Sequence, residues 1–236
     1  MKKLSLDVIE QLADKFRADN NYSQVEPIHT KTILRQLNIL ALYRPLSSSA
    51  DGMSLKSKSG MCFMLINSNS PRGRQHFTIA HELYHLYFDE NPVPHICSND
   101  GYKDVSEKNA NAFASALLMP RAGILKLIPN EELSASNISM STILKIEQYF
   151  GVSRQSLVYR LNSLKLISKT YCETILELSP SETARLYGYD TSLYEKGNEN
   201  LIIGDFGDKA RRLYERGIIS EGHYMELLNM ISNGQN

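Results

Sequence analysis

The sequence predicts an α+β fold: a small antiparallel or mixed sheet within roughly the first 120 residues, followed by helical, helix-turn-helix-like segments. Three observations lead there. Two short runs, ILALYRPL (39–46) and MCFMLINS (61–68), are rich in β-favouring and apolar residues. Around them lie stretches with helical spacing of apolar residues. Beyond residue 120 the two clearly periodic stretches are helical. Strands gathered in one region with helices on either side suit α+β layers rather than alternating βαβ units.

The elements follow in order. Leu6, Ile9, Leu12, Ala13 and Phe16 repeat with helical spacing and predict a first helix over 5–18. Thr30 is the expected N-cap of a second, with Ile33, Leu34 and Leu37 on one face. Strand 39–46 ends at a proline, and strand 61–68 follows Gly60. NSPRGRQ turns into a helix at about 75–88. ENPVPHICSNDGYKD (90–104) reads as a loop, and 106–120 as a helix capped by Ser106 and stopped by Pro120. Three parts are expected: 1–122 as the core, 123–168 as a helix-turn-helix-like segment, and 169–236 as a small, mainly helical module. Periodicity is weak over 166–204, which stays unassigned.

Composition narrows the function classes. The 236 residues carry 26 Lys+Arg and 26 Asp+Glu, a formal net charge of zero, so global charge points neither to nucleic acid nor to a membrane surface. Cys62, Cys97 and Cys172 are scattered with no CxxC, which is not a disulfide framework and suits a reducing compartment. Asp7, Glu10 and Asp14 interrupt any apolar run at the N-terminus, so that stretch reads as an amphipathic helix rather than a signal peptide. No run is long enough to cross a bilayer, and the expected location is the cytoplasm.

The chemistry lies in FTIAHELYHLYFDE (77–90). Residues four apart share a helix face, so His81 and His85 can aim at one point and bind a metal. Glu82, one step around, can take a proton from a water held there. HExxH constrains only three positions, and an ordinary amphipathic helix can show it. A third ligand distinguishes the two readings. Glu107, opening the next helix, is the candidate, although an acid in a first helical turn is also favoured by the helix dipole. Asp104 is the next choice, and Asp89 and Glu90 lie too near on the same helix. His76, Tyr84 and Tyr102 are candidate donors to a developing oxyanion. His95 and Cys97 lack partners at ligand spacing and are set aside.

GRQHFTIAHELYH followed by EKNANAFASALLMP resembles the ImmA/IrrE family of zinc metallopeptidases, over roughly residues 5–165. The resemblance implies a zincin-like core binding one Zn²⁺ through His81, His85 and Glu107, with Glu82 as general base. Two positions depart from the family pattern: Tyr84 stands where glycine is frequent, and Asn109 where an acid is frequent. The resemblance also implies a protein substrate, a helix-turn-helix repressor or antitoxin encoded nearby, whose cleavage derepresses a mobile element or stress operon. An extended substrate segment could pair with strand 52–56 or 61–67.

IEQYFGVSRQSLVYRLNSLKLI has helix-turn-helix character: Gly151 turns, Ser153 caps, and Leu157, Val158 and Leu161 pack. Arg154, Gln155, Ser156, Tyr159 and Arg160 are then expected to face solvent. The alternatives to a peptidase are a non-catalytic toxin-antitoxin or regulator-binding protein, or a DNA-binding regulator using 141–165. In the tail, Gly217 ends one helix and Ser220 caps the next.

Overall fold

The computed structural model describes residues 2–47, 49–89, 95–98, 104–135 and 137–232, with the backbone alone at 95–98, 135 and 231–232. Helices α1 (Leu6–Asp19) and α2 (Thr30–Gln36) lead into strands β1 (Ile39–Arg44), β2 (Ala50–Lys56) and β3 (Cys62–Asn67). Helix α3 (Arg72–Phe88), strand β4 (His95–Ser98) and helix α4 (Val105–Leu118) follow. Thr30 is the first helical residue rather than the cap, since the cap position is His29.

The described strands form one mixed five-stranded sheet in the order β4-β2-β3-β1-β5, where β5 is Ile202–Ile203. β1 runs parallel to β3, and β2 is antiparallel to both β3 and β4. β2 is not one of the two β-favouring runs, because Gly52 and three polar residues blur its period, although 52–56 is named as a strand for substrate pairing. Its partners also correct the expected substrate pairing. β3 lies between β1 and β2, and β4 pairs with β2 as far as Ser54, so along the expected segments an unpaired β2 edge is left at Leu55 and Lys56 among the described residues.

One face of the sheet is covered by α3. Ile39, Ala41 and Tyr43 alternate inward along β1, beside Met64 and Ile66 of β3. Gly52 marks the closest approach. A Cβ there would lie 2.7 Å from the Leu65 carbonyl oxygen and 2.7 Å from Thr78 Cγ2 of α3. Glycine is what lets the helix lie this low on the strand.

α4 and α1 close the other side of α3. Phe16, Tyr84, Phe88 and Phe113 join α1, α3 and α4 through ring contacts at 5.0–6.1 Å. Small residues Ala110 and Ala114 of α4 are fully buried and allow close packing. Arg17 is wholly buried and donates to the carbonyls of Ser23, Glu26 and Leu117, which fastens α1 to the end of α4. Burial lowers its guanidinium to about 10, short of neutralising it.

The rest is helical: α5 (Arg121–Leu127), α6 (Asn130–Ala135), α7 (Met140–Phe150), α8 (Arg154–Ser163), α9 (Lys169–Leu176), α10 (Pro180–Leu186), α11 (Phe206–Glu215) and α12 (Glu221–Ser232). Helices α7 to α10 each open on a serine, Ser139, Ser153, Ser168 or Ser179, whose oxygen accepts a first-turn N–H. Gly151 ends α7 in the left-handed region at φ 64°, and α8 begins three residues on. After α10 the chain returns to the core. Gln75 of α3 donates to Gly197, Asn198 donates to Gln75, and β5 pairs with Ala41 and Leu42 of β1. Weak periodicity over 166–204 is thus explained by helices of seven and eight residues and a two-residue strand.

Candidate metal centre

α3 is buried nearly all round between residues 78 and 86, because the sheet lies on one side and α4 on the other. Its polar residues are therefore inside the molecule. His81, His85 and Glu107 are all buried, and their ligand atoms lie within 4.8 Å of one another. His81 Nε2 and His85 Nε2 are 3.0 Å apart. Glu107 on α4 meets both, with Oε2 3.3 Å from His81 Nε2 and Oε1 3.2 Å from His85 Nε2.

The other ring nitrogens fix the tautomers. His81 Nδ1 donates to Asn111 Oδ1 at 2.9 Å, and His85 Nδ1 donates to Asp89 Oδ2 at 2.6 Å. Each Nε2 is left with its lone pair toward the other and toward a carboxylate. Three acceptors converging like this repel unless something positive lies among them. Metal–ligand bonds of about 2.0–2.2 Å at tetrahedral angles put neighbouring donors about 3.3–3.6 Å apart, close to what is seen here. The residues fit a divalent ion.

Electrostatics agree. Burial would lower the His85 imidazole, but hydrogen bonds to Glu107 and Asp89 outweigh it and push its pKa up to about 9. The pocket favours positive charge at that nitrogen, whether a proton or a cation. Glu82 is 0 % exposed, and neither carboxylate oxygen has a hydrogen-bond partner among the described residues. A buried carboxylate with both oxygens unpartnered is costly, on the order of several kcal/mol, and is kept where chemistry uses it. It sits close enough to His85 to act on its charge.

Sequence reasoning missed the supports of the site. Asp89 was considered only as a ligand, and Asn111 not at all. Asp89 is four residues after His85 and Asn111 four after Glu107, the same-face spacing that would have found both. Ser106 donates to Asp89 at 2.8 Å, so the cap expected of Ser106 falls instead to Asp104, which accepts from the Ser106 N–H. Asp104 is thereby a cap and no part of the metal cluster.

The oxyanion candidates are also redrawn. His76 Nδ1 donates to the Gly151 carbonyl at 2.8 Å and braces α3 against the α7–α8 turn. Tyr84 is 1 % exposed, packs on Phe88 and Phe113, and hydrogen-bonds Asn109, so it does not reach the cleft. Asn109 in turn holds Leu4 N and Lys2 O, which ties down the N-terminal segment where the family pattern often has an acid. Tyr102, and the side chains of His95 and Cys97, lie outside the described residues.

The expected exposure of α8 is corrected at two positions. Arg154 and Arg160 are 2 % and 1 % exposed, while Gln155 and Tyr159 face solvent. Arg160 reaches Glu10 of α1 and the Met119 carbonyl, and Arg154 pairs with buried Glu147 of α7. Long side chains next to the packing face turned under the helix, where carboxylates from other elements met them. Neither guanidinium is free to meet a phosphate.

A cleft of about 880 Å³ opens beside the metal cluster, lined at one end by His81, Glu107 and Asn111. A mixed sheet with one central helix across it, carrying a divalent-ion site on its buried flank, defines a zincin-like core. Residues 34–162 match the Peptidase M78 family model, described as the IrrE N-terminal-like domain, and the chain belongs to that family, the ImmA/IrrE metallopeptidases. No curated protein matches the chain significantly. No described helix is long and apolar enough to cross a membrane.

Proposed function

We propose that the protein is a zinc-dependent endopeptidase of the cytoplasm that cleaves one regulatory protein, a helix-turn-helix repressor or antitoxin encoded nearby, and so derepresses a mobile element or stress operon. The observation that carries the hydrolytic reading is the pairing of a three-ligand cluster with a buried, unpartnered Glu82 beside it. His81, His85 and Glu107 would hold the ion. Zinc, when bound, supplies a Lewis acid and a water that loses its proton near neutral pH. Glu82, buried and unpartnered among the described residues, would act as the general base, taking a proton from the attacking water and returning it to the leaving amine. Asn111 and Asp89 hold the two imidazoles in the tautomer the ion needs. The cleft volume accommodates a short peptide segment rather than a folded domain, which supports cleavage at an extended stretch of a chosen partner.

The test has two parts. Elemental analysis of the purified protein should give about one zinc per chain, lost in the His81→Ala/His85→Ala protein. Incubation with the helix-turn-helix protein encoded next to it should yield two fragments by mass spectrometry, and Glu82→Gln should abolish them while zinc stays bound. Derepression that survives Glu82→Gln would remove hydrolysis from the function.

A further inference from the structure

Every charged side chain lining the cleft already has its counterpart. Arg74 is bonded to Asp51, Arg154 to Glu147 and Arg160 to Glu10, while His81 and Glu107 belong to the metal cluster. A ligand entering beyond the cluster meets no unmatched charge, so an ion pair is not what selects it.

What the lining offers instead is apolar surface next to the cluster. Phe77 lies one turn before His81 on the same face of α3, and Ala112 and Ser115 follow Asn111 along α4. All three are half-buried, so a ligand in the cleft can touch them. The two residues that α4 adds beyond Asn111 are small, which keeps this part of the cleft open. Leu6 and Tyr159 complete the wall and are 40 % and 55 % exposed. Single exposed apolar side chains are ordinary, but here two stand on one cavity beside half-buried apolar neighbours, a surface suited to being covered. Leu6 is also held in place. Two residues before it, the Leu4 N–H donates to Asn109 Oδ1, and Asn109 donates to the Lys2 carbonyl, which fixes the chain entering α1 against α4.

We propose that this part of the cleft is a specificity pocket for one large apolar side chain of the substrate, aromatic or long aliphatic, packed against Phe77, Ala112, Leu6 and Tyr159. A helix turn rises about 5.4 Å and an extended residue spans about 3.3 Å, so the pocket serves a residue within two positions of the scissile bond. Phe77 gives an aromatic side chain an edge-to-face partner. Ala112 sets how large the side chain can be. The inference rests on the peptidase reading and names its substrate class.

The experiment uses the zinc-loaded full chain and a randomised decapeptide library blocked at both ends. Mass spectrometry reads the cleavage products. Phe, Tyr, Leu or Met should be preferred over Ala, Asp and Lys at one fixed position within two residues of the cut. The preference should be about tenfold or more in kcat/KM, the effect of burying one large apolar side chain. Ala112→Leu fills the pocket and should lower the ratio of Phe to Ala at that position by about fivefold or more. Tyr159→Ala, a change at an exposed position, should lower it by about threefold or more, and Tyr159→Phe should keep it. Zinc content and melting temperature confirm that these proteins are folded; if Ala112→Leu is not, the two Tyr159 variants decide. Affinity selection of the same library on zinc-loaded Glu82→Gln protein reads binding apart from cleavage. Apolar-selective binding with no hydrolysis by wild type would overturn the peptidase and leave the pocket. Cleavage without apolar preference in that window, a preference untouched by Tyr159→Ala or by a folded Ala112→Leu, or absence of both binding and cleavage would overturn the pocket.

Discussion

At the scale of the residue, the three converging side chains are held in place by neighbours outside the cluster. Asp89 accepts a hydrogen bond from His85 Nδ1–H and is itself held by Ser106, while Asn111 Oδ1 accepts one from His81 Nδ1–H. Outer partners of this kind set ligand orientation and basicity, and removing one typically weakens metal binding about 10–100-fold. Asp89→Ala and Asn111→Ala should each show that loss in a competition assay against a chelator, with the fold intact by circular dichroism. Glu82 behaves differently. Glu82→Gln should retain the ion at unchanged affinity and lower peptide hydrolysis by about 10²–10⁴-fold, the usual share of general base catalysis. If that substitution released the metal, the carboxylate would belong to the ligand set rather than to proton transfer.

At the scale of the element, α3 is the part on which everything depends, and its position is fixed by contacts on all sides. Gly52 lets it approach β2, and a β-branched side chain there would push it outward. Gly52→Val should therefore destabilise by about 1–3 kcal/mol or more, as overpacking does, and should loosen the metal cluster with it. A melting temperature unchanged within a degree would show that the contact is slack. His76 supplies a second constraint from the other end. Burial holds its imidazole below the ordinary 6.5 while its Nδ1–H braces Gly151. The unfolded chain binds a proton near pH 6.5 where the folded one resists it, so this residue's contribution to stability is present above that pH and declines below it. Urea unfolding at pH 7.5 and 5.5 should show a smaller acid loss in His76→Asn, which keeps the amide donor and cannot titrate.

At the scale of the whole molecule, the chain closes on itself. β5 is the edge strand of a sheet whose other strands all precede residue 99, and Gly197 and Asn198 lock onto Gln75 of α3. α11 and α12 pack chiefly on each other, with Tyr214 and Tyr224 stacked at 5.0 Å. A division of the chain at residues 168 and 169 is thus open to direct test by truncation. A protein ending at 204 should retain the melting temperature and metal affinity of the full chain to within a small margin. One ending at 168 exposes the edge of β1 and removes Gly197 and Asn198 from Gln75, and it should lose both.

Much of this was legible beforehand because it depends on local spacing. HExxH places two imidazoles on one helix face whatever surrounds them, and Ser153, read as a cap from the helical apolar pattern after it, is one. The β-favouring, apolar run at 39–46, ended by a proline, marks β1 for the same local reason. Legibility stopped where partners come from afar. Arg154 and Arg160 look solvated on a helical wheel and are buried, because Glu147 and Glu10 wait in other elements. Strands of two to four residues carry too little pattern to announce β4 and β5.

By itself the sequence determined the family and the helix that sets His81, Glu82 and His85 together, since residue type and a four-residue repeat are enough to recognise them. Only the tertiary structure decided that Glu107 arrives within 3.3 Å of both histidines, that Asp89 and Asn111 orient them, and that Arg154 is buried against Glu147. The reason is physical: the worth of a charge or a hydrogen-bonding group is set by burial and by what meets it, and neither exists until distant segments pack.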